Sequence, residues 1–335
     1  MEKRNKTEKS DDQSDYLPVN AFSESELAIC PKCARKNPPT KTECLYCGAV
    51  LSARPEMSGK TEISLNRPEI WENGFNLVFL PANDPIDTSG ISLIGELTGL
   101  GIDHSRMILN SKIPLPILRA DSPEDLKSLG GNLEKAGINW TIISDSELGP
   151  EKSFRRLRKI KFESGQIQLV LFNEEETLGI DPEEMVLLVA GKIFQKKVRA
   201  TEKRLKAGER KILDSAETLS DDPLLDIFIK RDRTGFRVFT HGFDFSCLGH
   251  EKGFIARENL EKLFVRLRSA APNAGVIENY GQLREFLDPV WEIEEKKEAT
   301  GLKRAGIGKF NLEHLTIATN LNQFNKFSRL QFVLL

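Results

Sequence analysis

The chain has 335 residues, with 48 Lys and Arg against 50 Asp and Glu and a net charge of −2. Such a balance excludes a surface that tracks nucleic acid throughout, and no apolar run approaches the ~18–20 residues of a membrane span. The length calls for two or three domains, and an apolar content of 39% is enough to give the larger ones a core.

Residues 1–26 are rich in Lys, Glu, Asp and Ser and poor in large apolar side chains, the composition of a disordered leader. Its start carries no apolar signal-peptide core, so a reducing, cytoplasmic setting is expected. Residues 27–52 then hold Cys30, Cys33, Cys44 and Cys47, two Cys-x2-Cys pairs around a ten-residue spacer. Each pair can grip one face of a metal ion, and four soft thiolates in tetrahedral array select zinc. With four protein ligands no position stays open for substrate, so one structural Zn2+ is expected rather than a catalytic one. Two disulfides are the competing reading, disfavoured by the reducing setting. The spacer, with Asn37-Pro38-Pro39 and little apolar content, is expected to fold back as a loop.

Around these ligands, Cys30-Pro31-Lys32-Cys33 and Cys44-Leu45-Tyr46-Cys47-Gly48 resemble the short zinc ribbons of bacterial multidomain proteins. Gly48 suits the turn under a metal knuckle, where φ > 0 is favoured. Ala34 occupies the equivalent place after Cys33 and departs from that pattern. The spacing is also similar to Ran-binding-protein fingers, some of which bind single-stranded RNA. That resemblance implies a tryptophan two residues before the first cysteine, where this chain has Ala28, so base stacking is not carried over.

Residues 53–73, with Pro55, Ser58, Gly59 and Lys60, have linker composition. From 74 to 148 the pattern turns α/β. Phe75 to Leu80 reads as a buried strand, and Asp87, Thr88 and Ser89 offer a cap for a helix ended by Thr98-Gly99-Leu100-Gly101. A second helix starts near Ile102, Pro114 to Leu118 is extended, and Ser122-Pro123-Glu124-Asp125 starts a third helix that stops at Gly137. Ile138 to Ile143 is a last strand, giving β-α-α-β-α-β. The stretches Glu96–Ile102 and Leu133–Ile138 resemble the C-terminal domain of the bacterial ribosomal stalk protein, whose fold is shared with the ClpS adaptor. In that family basic residues on the first two helices bind translation factors. The matching positions here are Ser92, Gly95 and Asp103, with only Arg106 basic and Lys112 nearby, so the resemblance implies the fold without the activity.

Residues 151–335 read as a β-rich domain with helices. Alternation around Gly165 marks a hairpin, Met185 to Phe194 a buried strand, and Leu225–Ile229 with Phe236–Thr240 a second hairpin around Arg231–Gly235. Lys203 to Asp222 is expected as a surface excursion or short charged helix. Leu260, Leu263, Phe264 and Leu267 recur at helical spacing. Strands followed by one amphipathic helix resemble a pleckstrin-homology-like barrel in outline, and Asn311 to Leu335 is expected to add strands.

Three further groups could carry chemistry. The basic runs 152–161 and 192–199 would form a phosphate-binding patch if their strands were neighbours; solvated strand faces are the competing reading. His241, Cys247 and His250 lie close in sequence but lack a fourth ligand, so packing competes with a second metal site. Asp244 and Glu258 could pair as acid and base, or cap helices. Gly301 to Lys309 resembles a phosphate loop with the wrong spacing and Phe310 in place of the hydroxyl, and His250-Glu251 has Phe254 where a zinc protease needs its second His. The resulting expectation is a non-enzymatic, multidomain α+β protein that acts through contacts with an unidentified protein partner. An RNA- or ribosome-associated factor is the alternative, and an enzyme with its site in the C-terminal domain the second alternative. No small-molecule substrate is implied.

Overall fold

A two-residue ladder opens the fold: Ala28–Ile29 (β1) pairs antiparallel with Lys36–Asn37 (β2). The computed structural model describes residues 28–30, 32–37, 44, 46–47, 49, 66–82, 88–149, 153–163, 165–172, 177–204, 210–307 and 309–335. The expected leader, most of the expected linker, Gly48, Asp87 and Lys152 lie outside them. Part of the cysteine spacer is therefore strand rather than loop. Pairing Ala28 with Asn37 turns the chain back under the first knuckle and buries Asn37 completely.

Residues 1–64 and 65–335 form separate units. The larger begins with the expected α/β order: Phe75–Phe79 (β3), Thr88–Thr98 (α1), Ile102–Leu109 (α2), Leu115–Ala120 (β4), Pro123–Lys135 (α3) and Trp140–Ser144 (β5). Its antiparallel sheet runs β4-β3-β5, with Leu77, Val78 and Phe79 of the central strand buried. Between α1 and α2, Gly99 takes φ 70° and Gly101 is extended, so the helices stay separate and Leu100 turns inward. Asp145–Leu148 (α4) follows, closed by a reciprocal Ser144–Glu147 cap.

Beyond it come Arg155–Glu163 (β6), Gln166–Leu171 (β7), Thr177–Ile180 (β8), Met185–Arg204 (β9), Arg210–Ile229 (β10) and Asp232–Phe239 (β11). These are joined by Ala256–Ala270 (α5), Gly275–Ile277 (β12), Tyr280–Leu287 (α6), Glu294–Gly306 (β13), Lys309–Thr319 (β14) and Leu321–Val333 (α7). One sheet runs β13-β14-β9-β10-β11-β6-β7-β8, with β12 beside β9. β6 lies parallel to β11, which brings the first and last strands of the β6–β11 meander together. The core between them takes Leu157, Ile160, Ile227 and Phe236 from strands and Leu260, Leu263 and Leu267 from α5. The apolar period seen in α5 is thus its buried face.

Three expectations need correction. Lys203–Arg204 and Arg210–Asp222 are strand, neither excursion nor charged helix, because β9 and β10 pair from Met185–Ile229 out to Arg204–Arg210 with two register shifts on the way. Charge on both faces hides the strand period, and cross-strand pairs such as Lys196–Glu217 (3.1 Å) suit the register. The turn joining β10 to β11 is tighter than Arg231–Gly235, since Ile229 already pairs with Asp232. The end of the chain supplies strand only to Thr319 and then forms α7, where Phe324, Phe327 and Leu330 are buried at helical spacing.

α7 ties the α/β fold to the β-rich fold through a buried charge cluster centred on Asp145. The Asp145 carboxylate accepts from Gly74 N (3.0 Å), Asn76 Nδ2 (3.0 Å) and Arg119 Nη2 (2.6 Å), and lies 3.1 Å from Lys326 Nζ. Trp291 Nε1 donates to Asn76 Oδ1 at 2.8 Å, and Gln331 Nε2 to Pro114 O at 2.8 Å. Burial pushes the Asp145 carboxyl up, but Lys326, Asn76 and Arg119 more than offset it and hold it below the usual carboxylate range.

Candidate metal centre

The sulfurs of Cys30, Cys33, Cys44 and Cys47 all lie within 4.8 Å of one another. Cys30 and Cys47 are 3.6 Å apart across the site, as are Cys33 and Cys44. A tetrahedral metal with bonds of ~2.3 Å to sulfur needs edges of about 3.8 Å, whereas a disulfide would close to ~2.05 Å. The donor set therefore fits a metal ion.

Backbone geometry prepares each thiolate. In the first knuckle Lys32 N donates to Cys30 Sγ at 3.4 Å, and in the second Tyr46 N donates to Cys44 Sγ at 3.4 Å. Ala34 closes the first turn with φ 54°, the left-handed conformation among the described residues that no glycine supplies. The sequence marked this place as a departure, and the chain tolerates the strain there. Asn37 Nδ2 bridges Arg35 O (2.9 Å) and Cys44 Sγ (3.5 Å). Sequence reasoning saw Asn37 only as part of a loop; the signal available was a short polar residue beside a proline between two ligand pairs.

These contacts divide the protons unequally. Burial pushes the Cys44 thiol up, yet N–H groups of Tyr46 and Cys47 with the Cys33 and Asn37 side chains bring it down to about 6. For Cys33 the Arg35 backbone lowers the value, but burial and the three neighbouring sulfurs outweigh it and push it up to about 12. Four thiols so close cannot all ionise without a cation between them, and a metal resolves that conflict. Among the described residues, the apolar cluster around the sulfurs is Cys30 and Cys44, with Cys33 and Ala49 against them. Ile29 and Tyr46 face outward, 65% and 56% exposed, and the Arg35 guanidinium lies 4.7 Å over the Tyr46 ring.

No family model, curated protein or solved structure matches this chain.

The other sequence candidates do not assemble into sites. The two basic runs are not neighbours, because β10 and β11 stand between β9 and β6. Their members pair locally instead: Arg155 with Asp232 at 3.5 Å, Lys159 with Asp244 at 3.1 Å, Lys196 with Glu217. Among the described residues, the four cysteines form the metal-capable cluster of three or more ligands, and His241, Cys247 and His250 do not join one. Cys247 packs against the apolar core of the β6–β11 region, and Arg266 donates to its carbonyl. Asp244 caps the 3-10 turn Phe245–Glu251 by accepting from Ser246 N at 2.9 Å, while Glu258 is exposed in the first turn of α5. On the α1–α2 pair Arg106 is engaged by Asp103 at 3.3 Å, so its charge is offset on the helix itself. Among the described residues, no helix is long and apolar enough to cross a membrane.

Proposed function

We propose that the protein is a non-catalytic adaptor whose Cys30, Cys33, Cys44 and Cys47 hold one structural Zn2+. The observation that carries this reading is the four-sulfur cluster itself, all four sulfurs within 4.8 Å of one another. Zinc is the ion that four thiolates at this spacing select, and a closed shell gives it folding work rather than chemistry. The ribbon then displays Ile29, Arg35 and Tyr46 outward, the residue types enriched where protein surfaces meet. Metal fixes the shape, and the outer face makes the contact.

The test purifies the full chain from its native cell and compares it with Ile29→Glu/Tyr46→Glu and with Cys44→Ser. The reading expects a partner protein in fixed ratio to the wild type, lost from both variants, with zinc retained in the first and lost in the second. Co-purification that survives Ile29→Glu/Tyr46→Glu contradicts the contact face. Retention that depends on nuclease-sensitive material would transfer the function to the nucleic-acid alternative.

A further inference from the structure

Past Phe194 and before Leu224, β9 and β10 leave the apolar core and continue as a four-stranded extension with β14 and β13. From Phe194 to Arg204 this reaches roughly 33 Å at the usual rise per residue. Its end is unusual in composition. Hairpin apices are ordinarily polar, yet Ile307 sits at the β13–β14 apex and is 93% exposed. Leu302 and Phe310 beside it are 65% and 57% exposed, and Ile212 on β10 is 61% exposed.

Register places most of these on one face. Ile212 stands opposite Glu202, Glu202 opposite Leu312, and Leu312 opposite Leu302, which makes one row across all four strands. Phe310, opposite Arg304, lies on the same face two positions nearer the apex. The acid in that row is neutralised: Glu202 lies 3.3 Å from Lys297 Nζ and 3.2 Å from His314 Nε2, and is buried between them. Arg304 is exposed on this face, and Lys203, Lys211 and Lys303 are exposed on the opposite face of the same tip. Asp214 and Glu313 stand one position further back on the opposite face.

We propose that this tip is a docking surface for an anionic lipid membrane, with Ile307 and Phe310 entering the interface and the surrounding lysines meeting lipid phosphates. Aliphatic side chains gain from hydrocarbon, and cations on flexible stems reach back to the headgroups. Charge complementarity selects the occupant, since each cation held near an anionic bilayer is worth about a fivefold gain in partitioning. Single-stranded nucleic acid fits the charge but fits the apolar residues less well, because Phe310 offers one ring for a base while Ile307, Leu302 and Ile212 offer none. A second copy fits worse, because like-charged tips repel and the Lys-rich β13 edge resists strand pairing.

The test is sedimentation of the full chain with phosphatidylcholine vesicles, plain or containing roughly a third phosphatidylserine, the composition that gives an inner-leaflet-like potential. Binding to the anionic vesicles alone is expected. Lys303→Glu/Arg304→Glu should weaken it by about 25-fold or more, and Ile307→Asp/Phe310→Asp by about tenfold or more. The same charge reversal on α3, Lys127→Glu/Lys135→Glu, should leave it unchanged. Ile307→Trp gives a gain-of-signal readout independent of losses in the other variants, an indole emission that shifts to the blue only with anionic vesicles. Absence of wild-type binding, or equal binding by both tip variants, overturns the proposal. So does tip-dependent binding to single-stranded RNA without vesicle binding, or a dimer that the tip variants abolish.

Discussion

The cysteine ribbon and the β6–β11 sheet with its α5 cover solve the same problem with opposite means. Among the described ribbon residues, the buried side chains are Cys30, Cys44 and Asn37, with Cys33 and Ala49 packed beside the cysteines. In the β6–β11 region, a continuous apolar core runs from Leu157 through Phe236 to Leu267. A segment this short removes little apolar surface from water to offset its ordering entropy, so the proposed zinc would carry its fold. In the β6–β11 region the buried apolar core itself supplies the stabilisation. It follows that the two regions should fail under different insults.

The largest effect expected is the collapse of the ribbon without metal. Chelation, or Cys44→Ser, should abolish its structure entirely while the thermal transition of residues 65–335 stays in place. Hydrogen exchange on the full chain reads both regions at once, and a shared loss of protection would break the comparison.

Next comes the Asp145 cluster, which joins the α/β fold to α7 inside the metal-independent unit. Asp145→Ala leaves Arg119 and Lys326 buried with their carboxylate gone, which should cost about 3–5 kcal/mol in urea unfolding. A loss under ~1 kcal/mol would show that the cluster is not what holds the two folds together. The pH dependence has a definite sign. The folded carboxyl lies below its ordinary 3.8, so its contribution is complete above that value and is lost as pH falls through the depressed folded one. Asp145→Asn should therefore flatten the acid limb of the stability profile.

Gly191→Ala sharpens the β-rich side of the comparison. A Cβ there would run into the Phe324 ring, so the α7–β9 contact must shift, at about 1–3 kcal/mol. The smallest effect belongs to the distal extension. Lys196→Ala removes a partly exposed pair with Glu217 and should change stability by less than ~1 kcal/mol.

What could be read from the sequence follows the same division. The four cysteines are local, so spacing alone brings them together, and the βααβαβ order is legible because Gly99, Gly101 and Ser122-Pro123 punctuate it within a few residues. The distal halves of β9 and β10 were hidden because solvent touches both faces and removes the period-two signal. α7 was misread because Lys326, Arg329 and Gln331 look solvent-facing until their partners are known. Those partners, Asp145, Leu148 and Pro114, lie far away in the sequence. Tertiary pairing of that kind leaves no local trace.

X-ray absorption at the zinc edge of the purified full chain tests the central claim most directly. Four sulfur neighbours at ~2.3 Å and no lighter atom are predicted, the shell of a closed structural site. An oxygen or nitrogen in that shell would mark an open, catalytic-type site, and a metal-free protein with two disulfides would contradict the account altogether.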